Sequence, residues 1–164
     1  VPAAASYNAD EKELCRLDEI YSAVKTPFEI RSGSEKVTRR FFKICNNGRE
    51  SFTGLYKSLT EQGICKGHQC IAYGLYMRDN GIELSEGLAV YGYSICSAIV
   101  TNCVKLVPLS QLAGQKILGE SFELISSASE KALFTDINDI GISGAGFDLR
   151  AMQHERLYSR QYMS

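Results

Sequence analysis

Leu84 to Leu106, LSEGLAVYGYSICSAIVTNCVKL, is the stretch that decides the fold. It is nearly uncharged and approaches the run of about 20 predominantly apolar residues that a membrane-spanning helix needs. Ser, Thr, Asn, Tyr and Gly interrupt it repeatedly. Such interruptions suit a helix covered on most sides by other helices better than one covered by lipid. Gly87, Ala89, Gly92, Ser94, Ser97 and Ala98 would let those neighbours come close. The stretch is therefore expected to be the central helix of a soluble domain.

Outward from it, apolar residues recur at three- and four-residue steps, the mark of one helix face. Leu14, Leu17, Ile20, Tyr21 and Val24 place a helix over Ala9 to Val24, with Asn8 or Asp10 as its cap and Thr26-Pro27 as its stop. Ile30, Val37, Phe41, Phe42 and Ile44 place the next over Phe28 to Cys45, ended by Asn46-Asn47-Gly48. Shorter helices are expected over Glu50 to Glu61 and His68 to Asp79. Downstream, Leu109 to Ala132 reads as one helix, Thr135 to Gly146 as a loop, and Phe147 onwards as a last helix. The opening VPAAASYNADEK is neither a secretory nor a transit segment, and is expected to be an arbitrary cut or a mobile lead-in. The fold class is all-α: one domain over 1–164, about six to seven helices bundled around the central apolar helix.

Composition narrows the function. A formal net charge of −1 leaves no electrostatic footprint for nucleic acid or an anionic membrane. Six Cys are scattered, several within apolar runs, and a chain of 164 residues needs no disulfide scaffold. They read as reduced thiols in the cytoplasm. Cys65, His68 and Cys70 form the compact cluster of soft ligands, yet zinc or nickel wants four, and no second pair completes them. The bland alternative is a helix start with two thiols and a partly exposed imidazole. His68 and His154 are the two histidines, and neither has a sequence context that supplies a nucleophile and an orienting group. His154-Glu155 reads as a surface interaction pair, because adjacent helical residues point in different directions. No phosphate loop is present. Lys36, Arg39, Arg40 and Lys43 form a basic helix face with Glu35 as an ordinary partner. No cofactor is implied, and a binding role is favoured over catalysis.

Two stretches carry more. One is VKLVPLSQLAGQKIL, Val104 to Leu118; the other is FDLRAMQHERLYSRQYMS, Phe147 to Ser164. Both resemble the UreF family of urease accessory proteins. Lys105, Val107, Pro108, Leu109, Gln111, Gly114 and Gln115 meet the family's "VKxVPLgQxxGQxxL" pattern, with Ser110 where Gly is common. Asp148, Met152, His154, Glu155, Tyr158, Ser159, Arg160 and Ser164 meet "DxxxMxHExxYSRLFxS", with Gln161-Tyr162 where Leu-Phe is common. Glu29-Ile30-Arg31 with Arg39, and the segment from His68 into AYGLYMRDNGI, are similar too. The family's N-terminal "FPxGxxxHSxGLE" pattern has no counterpart, so the chain resembles roughly the last two thirds of such a protein.

The resemblance implies a dimeric, all-α adaptor without catalytic residues. Its partners would be a UreH/UreD-like accessory protein, a UreG-like GTPase and apo-urease, with nickel as the cargo. Asp148, Met152, His154, Glu155, Tyr158, Ser159 and Arg160 would then belong to a partner-docking tail over 147–164. Tyr, Met and Arg are enriched at interface cores, which explains a sticky terminus. Such a tail is expected to be loose alone and ordered on binding. Lys105, Gln111 and Gln115 would form a second contact surface, while Pro108, Leu109 and Gly114 shape the turn beneath it. Two alternatives remain: a GTPase-activating factor using Arg160 or Arg39, and a small metal-dependent hydrolase built on Cys65, His68 and Cys70.

Overall fold

A computed structural model describes residues 1–45, 48, 50–141 and 144–158. Among them lie α1 (Pro2–Asn8), α2 (Glu11–Val24), α3 (Phe28–Ile44), α4 (Phe52–Glu61) and α5 (Gln69–Asp79). Then come α6 (Leu84–Leu106), α7 (Gln111–Glu120), α8 (Phe122–Phe134) and α9 (Ala145–His154), with a 3-10 turn at Ile137–Asp139. No strand occurs among the described residues, so the class is all-α as expected.

Local chemistry sets the boundaries. Asp10 and Glu13 form a reciprocal cap on α2: Asp10 Oδ1 accepts from the Glu13 N–H at 2.8 Å, and Glu13 Oε2 from the Asp10 N–H at 3.2 Å. The Asp79 carboxylate accepts from the Phe52 and Thr53 N–H groups at 2.9 and 2.8 Å, so the end of α5 caps the start of α4. Gly81, at φ +62°, turns the chain from α5 into α6. The expected Leu109 to Ala132 helix divides at Ser121, whose hydroxyl donates to the Ile117 carbonyl at 2.8 Å.

The helix at the centre is α5, not α6. Cys70, Ile71, Ala72, Gly74, Leu75 and Met77 are all buried, and α5 packs against α1, α3, α4 and α6. α6 buries only Gly87 and Leu88 fully, and Val90, Ile95 and Ile99 stand open. By length and composition α6 is long and apolar enough to cross a membrane, the one such helix among the described residues. The physical reason for the exchange lies in size. Gly74 has its missing Cβ position 2.1 Å from Ser6 Oγ and 2.2 Å from the Ala3 carbonyl oxygen, so α1 lies directly on α5. The opening segment is thus a core helix rather than a lead-in: Ala3 and Ser6 are buried, and the Ser6 hydroxyl donates across to the Ile71 carbonyl at 3.2 Å.

A buried polar hub fixes the approach to α5. The Asp18 carboxylate, 2 % exposed, accepts from the Tyr56 hydroxyl at 2.5 Å and from the Lys66 and Gly67 N–H groups at 2.7 and 3.0 Å. The Tyr56 oxygen accepts in turn from the His68 N–H at 2.8 Å. A buried carboxylate with this many donors is satisfied, which is the condition for burying it at all. Above the hub, Phe41 stacks on Tyr73 with centroids 5.2 Å apart, and Tyr73 meets Tyr91 at 4.9 Å, tying α3, α5 and α6.

Candidate partner-docking surface

Beyond α8 the chain comes back to the start of α3. α9 has Asp148 in its first turn, where a carboxylate suits the helix dipole. Its principal neighbour is α3. The contact is polar. His154 Nδ1 lies 2.6 Å from Glu29 Oε2, and Glu155 Oε1 accepts from the Phe28 N–H at 2.9 Å. A carboxylate only accepts, so Nδ1 carries the proton. The His154-Glu155 pair thus grips the first turn of α3, which begins at Pro27 without a side-chain cap of its own.

None of the described α9 residues is buried. Phe147, Leu149 and Leu157 are more than half exposed, Met152 is exposed, and Tyr158 is fully open. Between α9 and the start of α3 runs a groove of about 440 Å³, lined by Thr26, Phe28, Leu149, Met152, Gln153, Glu155 and Arg156. An exposed ion pair contributes about 0.2–1 kcal/mol, and a charge at an exposed helix N-terminus about 0.3–1 kcal/mol. The contacts of His154 and Glu155, at the C-terminal end of the helix, are therefore each modest in strength. Ser159 and Arg160 lie outside the described residues.

The second sequence motif builds a turn and an open face. Pro108 and Leu109 follow α6, and the Leu109 N–H closes onto the Val107 carbonyl at 2.6 Å. Ser110 caps α7 by accepting from the Ala113 N–H at 3.1 Å. Gly114 is buried, with its missing Cβ position 2.8 Å from Val104 Cγ2, so α7 lies tightly on α6. Lys105, Gln111 and Gln115 remain exposed. Beside them on α6, Val90, Tyr93, Ser94, Ser97, Ala98, Thr101 and Asn102 line a shallow groove of about 510 Å³. It mixes apolar with hydroxyl and amide groups, as protein–protein contacts do.

The Cys65, His68 and Cys70 cluster is dispersed among separate contacts. Cys65 Sγ points to Cys15 Sγ at 3.8 Å, and Cys70 is fully buried, with burial pushing its thiol upward. His68 is not the partly exposed imidazole expected from sequence; it is 0 % exposed. Its Nε2 meets Ser22 Oγ at 2.8 Å, and the ring stands edge-on to Tyr21 at 5.0 Å. Burial pulls its pKa down to about 4, against the attraction of Asp18 and with help from Lys25 and Arg31. Among the described residues no group of three His, Cys, Asp or Glu is placed to hold a metal ion. Arg39 pairs with Glu35 at 3.6 Å on the exposed face of α3.

Sequence patterning did not show Phe28 and Glu29 as the seat of the tail. Glu29 and His154 are 125 positions apart, and the signal available was that both fall in family-like segments.

Comparison with known proteins places the chain. The UreF family profile matches residues 2–121. The urease accessory protein UreF of Actinobacillus pleuropneumoniae serotype 5b (strain L20) is 34% identical over 161 residues, covering 98% of this chain and 71% of the relative. UreF of Haemophilus influenzae (strain ATCC 51907 / DSM 11121 / KW20 / Rd) is 35% identical over 153 residues, with 92% and 65% covered. UreF of Paenarthrobacter aurescens (strain TC1) is 31% identical over 152 residues, with 90% and 67% covered. A family match over most of the chain and identities of this size lead to one conclusion: the chain belongs to the UreF family of urease accessory proteins, whose role is accessory rather than enzymatic.

Proposed function

We propose that the chain is a cytoplasmic adaptor of urease maturation. It joins a UreH/UreD-like accessory protein to a UreG-like GTPase so that nickel, the cargo, reaches apo-urease, and it works as a homodimer. The tail over 147–164 is its docking element, with Asp148, Met152, Tyr158, Ser159 and Arg160 as partner-binding residues and His154 and Glu155 at its root. Lys105, Gln111 and Gln115 belong to the second contact surface.

One observation carries this reading: in a family member, the α6–α9 half leaves Val90, Ile99, Leu112, Leu124, Phe134 and Phe147 exposed. Of the helices that carry them, α6, α7 and α8 pack against one another, and large apolar groups left exposed on neighbouring helices are the material of interaction sites. Charged residues are sparse on α6 between Glu86 and Lys105, which suits an interface centre.

Co-expression tests it. Affinity-tagged chain, with and without residues 147–164, is used to capture the UreH/UreD-like and UreG-like proteins. Capture by the whole chain and its loss on truncation are expected. Gln111→Ala with Gln115→Ala should leave folding intact and weaken assembly; full capture by that variant would remove the α7 surface from the proposal.

A further inference from the structure

We infer that Glu29 is a positioning residue for the tail: with His154 and Glu155 it forms a clasp that fixes where the docking segment leaves the body. The inference rests on the docking role proposed for residues 147–164 and adds how that segment is presented. The clasp includes the His154 Nδ1–Glu29 Oε2 contact at 2.6 Å and the Phe28 N–H donating to Glu155 Oε1 at 2.9 Å. They join residues 125 and 127 positions apart, from opposite ends of the chain. Adjacent helical residues diverge within a helix. Here α9 ends at His154, and Glu155 already belongs to the turn that follows, so both side chains reach the same end of α3.

Two further observations decide between positioning and concealment. The helix buries none of its described residues, so apolar packing does little to fix its direction and the clasp contributes to it. And with the clasp closed, Phe147 stays 71% exposed, Leu149 60% and Phe28 60%. A contact that shut the tail away from a partner would cover these groups. This one leaves them open and orients them. Holding a segment near its bound direction lowers the ordering cost that binding must otherwise meet. His154 and Glu155 are then committed to α3, and the partner reads the apolar groups beside them.

The test uses the whole chain, ¹⁵N-labelled, together with captured UreH/UreD-like partner. Amide exchange at Phe28 reports the clasp directly, since that N–H donates to Glu155. His154→Ala leaves α3 untouched, and is expected to speed Phe28 exchange about fivefold, the scale that loss of an exposed pair allows. It is expected to weaken partner capture by a similar factor with an unchanged melting temperature. Glu29→Ala should match it, and Glu29→Gln, which keeps an acceptor at the same reach, should recover most of both. Unchanged Phe28 exchange in His154→Ala overturns the clasp. Faster exchange with equal or stronger capture overturns positioning. If deleting residues 147–164 also leaves capture intact, the docking role itself fails and the inference falls with it; if deletion abolishes capture while His154→Ala does not weaken it, the inference alone is wrong.

Discussion

From Ala3 to Leu88 the helices turn Leu14, Leu17, Tyr56, Ile71, Leu75 and Met77 inward until almost nothing of them is exposed. Beyond Leu88, Leu118 and Ile125 reach a comparable state, while Val90, Ile99, Leu112, Leu124 and Phe134 face outward. The two halves are similarly apolar in sequence but not in what their apolar groups meet. In the first half most large apolar groups are buried within the chain, around α5, with Phe28, Ile44 and Ile64 as exceptions. In the second, helices pack edge to edge through small residues and leave wide faces free. The difference suits the adaptor role proposed above: one half supplies stability, the other supplies surface. It also predicts that equal chemical changes will have unequal consequences in the two halves.

Glycine to alanine is the sharpest such pair. At Gly74 the new Cβ meets Ser6 Oγ at 2.1 Å and the Ala3 carbonyl oxygen at 2.2 Å, and a backbone atom does not yield without moving α1. Gly74→Ala should lose about 3 kcal/mol or more of unfolding free energy by overpacking. At Gly92 in α6 the nearest atom is Ile125 Cγ2 at 3.1 Å, the end of a side chain that can shift. Gly92→Ala should stay within about 1 kcal/mol of the parent, because the helix-propensity gain of about 1 kcal/mol offsets the crowding. Urea unfolding of both variants measures this. Similar losses at the two sites would break the contrast between the halves.

Acid should strike the first half. His68 is neutral in the fold because burial lowers its pKa to about 4, against an ordinary value near 6.5. Between those values the unfolded chain binds a proton that the folded chain refuses. Stability from this group is therefore full above pH 6.5 and lost as pH falls toward 4, on the order of 3 kcal/mol. Unfolding free energies at pH 7 and pH 4.5 should differ more for the parent than for His68→Gln. Equal pH dependence in the two would mean that other groups govern acid unfolding.

How much of this was legible in sequence depends on what each residue's neighbours are. The class, the α2 to α5 order and the extent of α6 follow from apolar periodicity and from Asp10, Pro27 and the glycine turns, all local signals. The centre was not legible, because α6 is the longer apolar run while α5 owes its place to contacts with α1. QCIAYGLYMRD did hold a clue: its apolar residues form no single stripe, as befits a helix buried all round. PAAASYN looked like a lead-in because seven residues carry too little periodicity to declare a face. The clasp was hidden for another reason. His154 and Glu155 were visible as a motif, but Glu29 and the Phe28 N–H are brought to them only by the tertiary fold.

The smallest expected effect tests whether the first half is as well satisfied as its burial suggests. Thr53 is 2 % exposed in the first turn of α4, and its N–H donates to Asp79 Oδ2. Its hydroxyl has no hydrogen-bond partner among the described residues. Valine keeps the β-branched shape and the same χ1 restriction while removing that hydroxyl. Thr53→Val should therefore be neutral or gain up to about 1 kcal/mol, since a buried unpaired polar group costs more than its apolar replacement. Leu124→Gln, on the open face of α8 where Leu124 is 73% exposed, should also stay within about 0.5 kcal/mol, because most of its apolar surface remains in water. The two nulls have opposite origins: the first half tolerates losing a polar group it never paired, and the second tolerates gaining one where nothing was packed. A loss above about 1 kcal/mol in Thr53→Val would show that its hydroxyl is bonded. A similar loss in Leu124→Gln would show that the α8 face is covered in solution, as a self-associating surface would be, and a dependence of that loss on protein concentration would identify the cover as a second copy of the chain.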